Sequence, residues 1–220
     1  RMRETAVKYL ERTFSSNETC LLDLTAKGIE DLIPQVIDRM IGSGLLPAEE
    51  RDRVIEVFLE RERLVSTAIG NAVAVPHCYL ESLSEPQIVF VRLKHGMNLG
   101  APDGTPTQYF FVLLGPTGRA AEHLDTLSLI ARVMSDSEFR YELGEAQSPA
   151  ALQEALAHTL ARTGRPSEAD VPHAAEMAPA SGLGDGIRKD LRRRLPHYVA
   201  DFLDGLHPKR RARARTRILD

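Results

Sequence analysis

Residues 59–77, LERERLVSTAIGNAVAVPH, decide the reading of this chain. The stretch opens on a mixed cluster of Glu60, Arg61, Glu62 and Arg63 that ends a helical pattern. Two hydroxyls, Ser66 and Thr67, and a Gly70-Asn71 turn follow. A short β-branched run then delivers His77 to the end of a strand. A neutral imidazole keeps a lone pair on one ring nitrogen, so a histidine held on a rigid element beside cationic groups is a good nucleophile near neutral pH.

Around this stretch the pattern alternates between helices and strands. Helical spacing covers residues 3–14, 29–41, 47–64, 124–134 and 150–161, with Pro47 and Pro149 at first-turn positions and Gly42-Ser43-Gly44 as a stop. Strand patterns cover residues 19–24, 72–75, 87–94 and 108–114, and the last reads as buried on both faces. Gly100-Ala101-Pro102-Asp103-Gly104-Thr105-Pro106 is a turn between the two strongest strands. Ser135 and Glu138 have capping-box spacing for a further helix. A hairpin-like pair among strands separated by helices implies a layered α/β domain over residues 1–162, a mixed sheet flanked by helices.

Beyond it the composition changes. Residues 163–185 are aperiodic and rich in Gly, Pro, Ser and Ala, and read as a flexible linker. Residues 187–206 have the spacing of an amphipathic helix with Pro196 near its middle, and 209–217 is a basic run. Residues 186–220 hold eleven Lys/Arg against four Asp/Glu, so the first 185 residues carry −10 of the total charge of −3 and the last 35 carry +7. An acidic body with a basic tail implies an anionic surface or partner for the tail. Nucleic acid is excluded as that partner, because the run has no interleaved aromatics and the body is acidic.

With 43% hydrophobic residues and 27% charged, the balance is that of a soluble globular protein; lacking Trp, its core should be aliphatic. No run approaches eighteen apolar residues. The chain begins at Arg1 with no legible signal peptide, and reads as a fragment or processed form. Two cysteines make neither a disulfide framework nor a zinc site, and a reducing cytosol is the simplest setting. No cluster calls for a cofactor or a metal.

The 59–77 stretch closely resembles the active-site motif of the fructose–mannitol type enzyme IIA domains of the bacterial phosphotransferase system. Residues 100–106, then Leu114-Gly115-Pro116, resemble that family's second signature, and His123-Leu124-Asp125-Thr126-Leu127 places a second histidine at the opening of a helix. The resemblance implies that His77 accepts phosphate, that His123 lies beside it and hydrogen-bonds the phosphate, that Arg61 lies in the site, and that a phosphocarrier protein is a partner. Ser66 and Thr67 are candidate phosphate contacts, balanced against a role in capping the turn. The family usually has a small residue after the histidine, whereas this chain has Cys78-Tyr79, which bears on docking and access. Cys78 has no base beyond that histidine and is not assigned catalysis.

A second resemblance starts at Gly186. GIRKDLRRRLPHYVADFLDGL, residues 186–206, is similar to the segment before the first membrane span in the bicarbonate/anion-exchanger family of solute carriers, and residues 110–116 and 133–139 resemble cytosolic domains of that family. This implies a regulatory or scaffold domain, on the cytoplasmic side of the inner membrane, with a transmembrane transporter domain of the same protein as partner. It also implies a homodimer, and a juxtamembrane segment, 186–220, whose residues 186–217 meet the membrane surface. The alternative is an active enzyme IIA phosphocarrier working through His77.

Overall fold

The computed structural model describes residues 2–163. In chain order the elements are α1 (Met2–Thr13), β1 (Cys20–Leu24), α2 (Ile29–Gly42), a 3-10 turn (Ala48–Glu50), α3 (Arg51–Leu64), β2 (Ala68–Gly70), β3 (Val73–Ala74), β4 (His77–Leu80), β5 (Gln87–Met97), β6 (Thr107–Pro116), α4 (Ala120–Ser135), α5 (Ser137–Glu145) and α6 (Pro149–Thr163). The linker and amphipathic segment expected after residue 162 lie outside the described residues.

The sheet is mixed, in the order β1-β5-β6-β3-β2, with β4 also on β6. Its centre is the antiparallel pair β5–β6, in register from Gln87 against Leu114 to Arg92 against Tyr109. β1 runs parallel to β5 at the outer edge. β3 and β4 both run parallel to β6, Val73 opposite Tyr109 and His77 opposite Leu113, so the offset is unchanged across Val75-Pro76. They are one strand with an interruption. Pro76 has no N–H to give to a ladder, but its carbonyl accepts from Leu113 N at 2.9 Å, and Val75 N turns to Thr67 O at 3.0 Å.

Side chains along a strand alternate between faces. On one face Val89, Val91, Phe110, Val112, Leu114, Cys78 and Leu80 join Leu32, Ile33, Val36, Ile37 and Met40 of α2 and Val54 and Phe58 of α3. On the other, Phe14 at the end of α1 meets Phe90 and Phe111 edge-on, with centroids 5.3 and 6.5 Å away. The core is not purely aliphatic as expected: Phe58 and Phe110 lie in the mostly aliphatic α2/α3 layer, and Phe14, Phe90 and Phe111 pack together on the opposite face. The expected strand at 72–75 is shorter, and β2 and β4 were not foreseen. The expected Ser135 cap moves by one residue: Asp136 accepts from Phe139 N at 2.8 Å, while Ser135 bonds back to Ala131 O inside α4.

One buried cation joins three elements. Arg92 on β5 grips Asp23 of β1 with Nε and Nη2, each at 3.0 Å, and gives Nη1 to the carbonyls of Leu143, Gly144 and Ala146 at the end of α5. It satisfies helix-end carbonyls that otherwise lack partners.

Candidate active site

The site begins where α3 stops. Glu62, in its last turn, accepts from Thr67 N at 3.0 Å and Thr67 Oγ1 at 2.7 Å, closing the turn out of the helix. Ser66 Oγ donates to Leu99 O at 2.7 Å and accepts from Ala68 N at 3.2 Å. Both hydroxyl protons are therefore given to the protein. The next turn takes left-handed backbone at Gly70 (φ 91°), Asn71 (φ 53°) and Ala72 (φ 62°), a run that glycine and asparagine tolerate best. Asp103 holds it. Its carboxylate accepts from Asn71 N at 2.8 Å and Thr105 N at 3.0 Å, and a Cβ on Gly70 would stand 3.1 Å from it. Burial pushes its pKa up, but the hydrogen bonds, those from Asn71 N and Thr105 N first, together outweigh this and keep it below the usual carboxylate range.

This scaffold fixes the approach to His77, which opens β4 and does not end the preceding strand as expected. Its Nδ1 lies 2.8 Å from Val75 O. A carbonyl only accepts, so Nδ1 carries a proton, and in the neutral form of the ring the lone pair is on Nε2. In β4, His77 and Tyr79 point to one face, and Cys78 and Leu80 to the α2/α3 core. Burial pushes the Cys78 thiol up to about 12, so it holds its proton.

His123 projects from the first turn of α4 to the same face. Its ring centroid is 5.1 Å from that of His77 and 4.7 Å from that of Tyr79. The contact needs Gly115, opposite Tyr79 on β6. A Cβ there would lie 3.3 Å from His123 Nδ1. His77 is 1% exposed, His123 3% and Arg61 7%. Burial, and then the positive charge of Arg61, push His123 down to about 4. It is neutral at physiological pH, and Arg61 stands close enough for its charge to bear on the ring. His123 Nε2 is buried and makes no hydrogen bond among the described residues. The structure thus brings His77, His123 and Arg61 together and adds Tyr79 and Gly115, which sequence reasoning gave no site role. No group of three or more His, Cys, Asp or Glu among the described residues could hold a metal, and no helix among them is long and apolar enough to cross a membrane.

Two buried imidazoles thus share one sheet face, within reach of an arginine's charge. Residues 13–159 match the family described as the phosphoenolpyruvate-dependent sugar phosphotransferase system, EIIA 2. The chain belongs to this family. This EIIA-2 domain is 36% identical over 112 residues to a nitrogen regulatory protein of Bradyrhizobium diazoefficiens, covering 51% of the chain and 73% of that protein. It is 29% identical over 131 residues to a fructose-specific EIIA component of Haloferax volcanii, covering 60% and 84%. The crystal structure of the nitrogen regulatory protein IIA-Ntr from Neisseria meningitidis superposes with a TM-score of 0.58 at 27% identity, covering 64% of this chain and 94% of that one. A more distant similarity, 24% over 266 residues, is to the Band 3 anion exchange protein of Oncorhynchus mykiss, covering 90% of this chain and 29% of that protein.

Proposed function

We propose that this EIIA-2 domain is a phosphocarrier in which Nε2 of His77 takes a phosphoryl group from a phosphohistidine donor. The donor's N–P bond breaks as the Nε2–P bond forms, and the proton stays on Nδ1, which donates it to Val75 O as a hydrogen bond. The observation that carries this reading is the pair of buried imidazoles 5.1 Å apart: the Nδ1–H of one is held by a backbone carbonyl, which fixes its tautomer, and the other has a buried ring nitrogen with no hydrogen bond among the described residues. In its Nε2–H tautomer, His123 would give that proton to a phosphoryl oxygen. Arg61 would neutralise the dianion from the same side. Phosphoryl transfer needs positioning and charge neutralisation more than covalent chemistry from the protein, and donors already fixed in a water-poor site serve it. Ser66 and Thr67, with their protons on Leu99 O and Glu62, hold the α3–β2 junction that carries Arg61 and His77.

The test is incubation with phosphorylated phosphocarrier protein of a phosphotransferase system. Acid-labile, base-stable phosphate is expected on His77. His77→Ala should abolish it, and His123→Ala should slow it while still allowing labelling. A wild-type domain that takes no phosphate refutes the carrier role.

A second reading is favoured by the Band 3 similarity, whose alignment reaches past the matched family region. In it the domain regulates a transmembrane anion or bicarbonate transporter of the same polypeptide. It would work as a homodimer on the cytoplasmic side of the inner membrane, with residues 186–217 against anionic lipid. Salt-sensitive binding to anionic vesicles that is lost when residues 186–220 are deleted would support it. Identical transport by full-length wild-type, His77→Ala and His77→Asp proteins would remove phosphorylation from that scheme.

A further inference from the structure

His77, His123 and Tyr79 form a column of three rings, with centroid separations of 5.1 and 4.7 Å. The column is unevenly wet. The two imidazoles are 1% and 3% exposed, whereas Tyr79 is 36% exposed and is one of four large apolar side chains at the surface of the described residues. Gly115 makes this possible. A Cβ there would sit 3.3 Å from His123 Nδ1 and 3.7 Å from Tyr79 Cδ1, so both rings lie against bare backbone. Of the three rings, only the phenol is open to solvent.

We infer that Tyr79 is the specificity-determining cover of the paired imidazoles, past which a phosphoryl donor must come to reach His77. The phosphoryl part of this inference rests on the carrier reading; the covering does not. A tetrahedral phosphoryl group is bulkier than water, and a side chain as buried as His77 offers it no approach in the closed arrangement. A protein donor can use contacts remote from the reacting atoms to displace the phenol ring, while a small phosphoryl compound has no such contacts. Tyr79 therefore selects macromolecular donors with an apolar or aromatic docking surface. It also keeps water from the phosphohistidine between transfers.

Two probes separate the cover from the chemistry. Diethyl pyrocarbonate acylates neutral imidazoles that it can reach, and mass spectrometry of the modified peptides reads His77 and His123 separately. Phosphoramidate is a small phosphoryl donor: its N–P bond breaks, the Nε2–P bond forms and ammonia leaves. In Tyr79→Ala, and in Tyr79→Thr, which favours a strand, acylation of both histidines should rise on the order of tenfold, because reaction no longer waits for local opening. Labelling by phosphoramidate should rise in step, while labelling by phosphorylated phosphocarrier protein should not. Tyr79→Phe keeps the ring and should match wild type. Equal acylation in wild type and in either folded variant, judged by far-UV circular dichroism and a cooperative melt, would overturn the cover. Raised acylation with no phosphate on any form, from either donor, would leave the cover standing and refute the carrier reading.

Discussion

Acidification should destabilise this domain through His123, by an amount the structure sets. The ring's pKa falls from its ordinary 6.5 to about 4 in the folded protein, by burial and by the charge of Arg61. Above the ordinary value both folded and unfolded chains hold a neutral ring, and His123 costs nothing. As pH falls through 6.5 the unfolded chain takes up a proton that the folded one refuses, so stability drops. The loss continues until the folded ring protonates near 4. At about 1.4 kcal/mol per pKa unit, the depression corresponds to about 3 kcal/mol. Carboxylates titrate over the lower part of the same window, so wild type must be read against His123→Gln, which shares them and lacks the imidazole. Urea midpoints taken at intervals from neutral pH down to 4 give both profiles. Relative to the variant, wild type should lose about 3 kcal/mol across that range. A difference that stays flat would mean that His123 is solvated in the native state and that the pairing with His77 is wrong.

Gly115→Ala should move the rings while leaving stability almost unchanged. Crowding His123 costs about 1 kcal/mol, and the alanine returns a similar amount, about 0.4–1 kcal/mol, by restricting the unfolded chain. Unshifted His77 and His123 ring resonances in NMR spectra would show that neither ring rests on Gly115. Arg92→Met should cost about 3 kcal/mol in urea unfolding, because it leaves Asp23 and three carbonyls without their shared donor. Native wild type should resist a thiol reagent at mildly alkaline pH until denaturant is added, because both thiols are buried and Cys20 and Cys78 are each pushed up to about 12. Rapid modification of Cys78 in the folded protein would show that its thiol is not buried in the α2/α3 core.

The long elements were legible in the sequence because each carries enough turns or alternations to show its period. β6, with Phe110 to Leu114 unbroken, could only be a strand covered on both sides. β2 and β4 were not legible. Three and four residues show no period, and Ala68-Ile69-Gly70 has weak β-propensity; their strand state is imposed by pairing with β3 and β6. The Ser135 spacing was a true capping pattern, but Asp136 stands nearer the donor of Phe139 and accepts its bond. At the site, His77 was marked by its own neighbours, whereas His123 and Arg61 were marked through family resemblance alone. Gly115 was read as part of a signature and Tyr79 as a departure from one. Their common purpose depends on register across β4 and β6, which composition does not encode. The alternation His77-Cys78-Tyr79-Leu80 was a signal that could have found it, since it places the two rings on one face of any strand.

The unbroken register of β3 and β4 along β6 has a consequence for how this sequence can change length. The two segments share one offset across Val75-Pro76, so a single residue gained or lost there would turn β4 over against β6. An imidazole and a phenol would enter an aliphatic layer, and a thiol and a leucine would take their place beside His123. Substitution at any one of these positions alters one side chain, but an insertion or deletion exchanges the side chains of the α2/α3 core with those of the reactive face. Related chains should therefore vary freely in length at the 81–86 connection and keep a fixed count between Ala74 and His77.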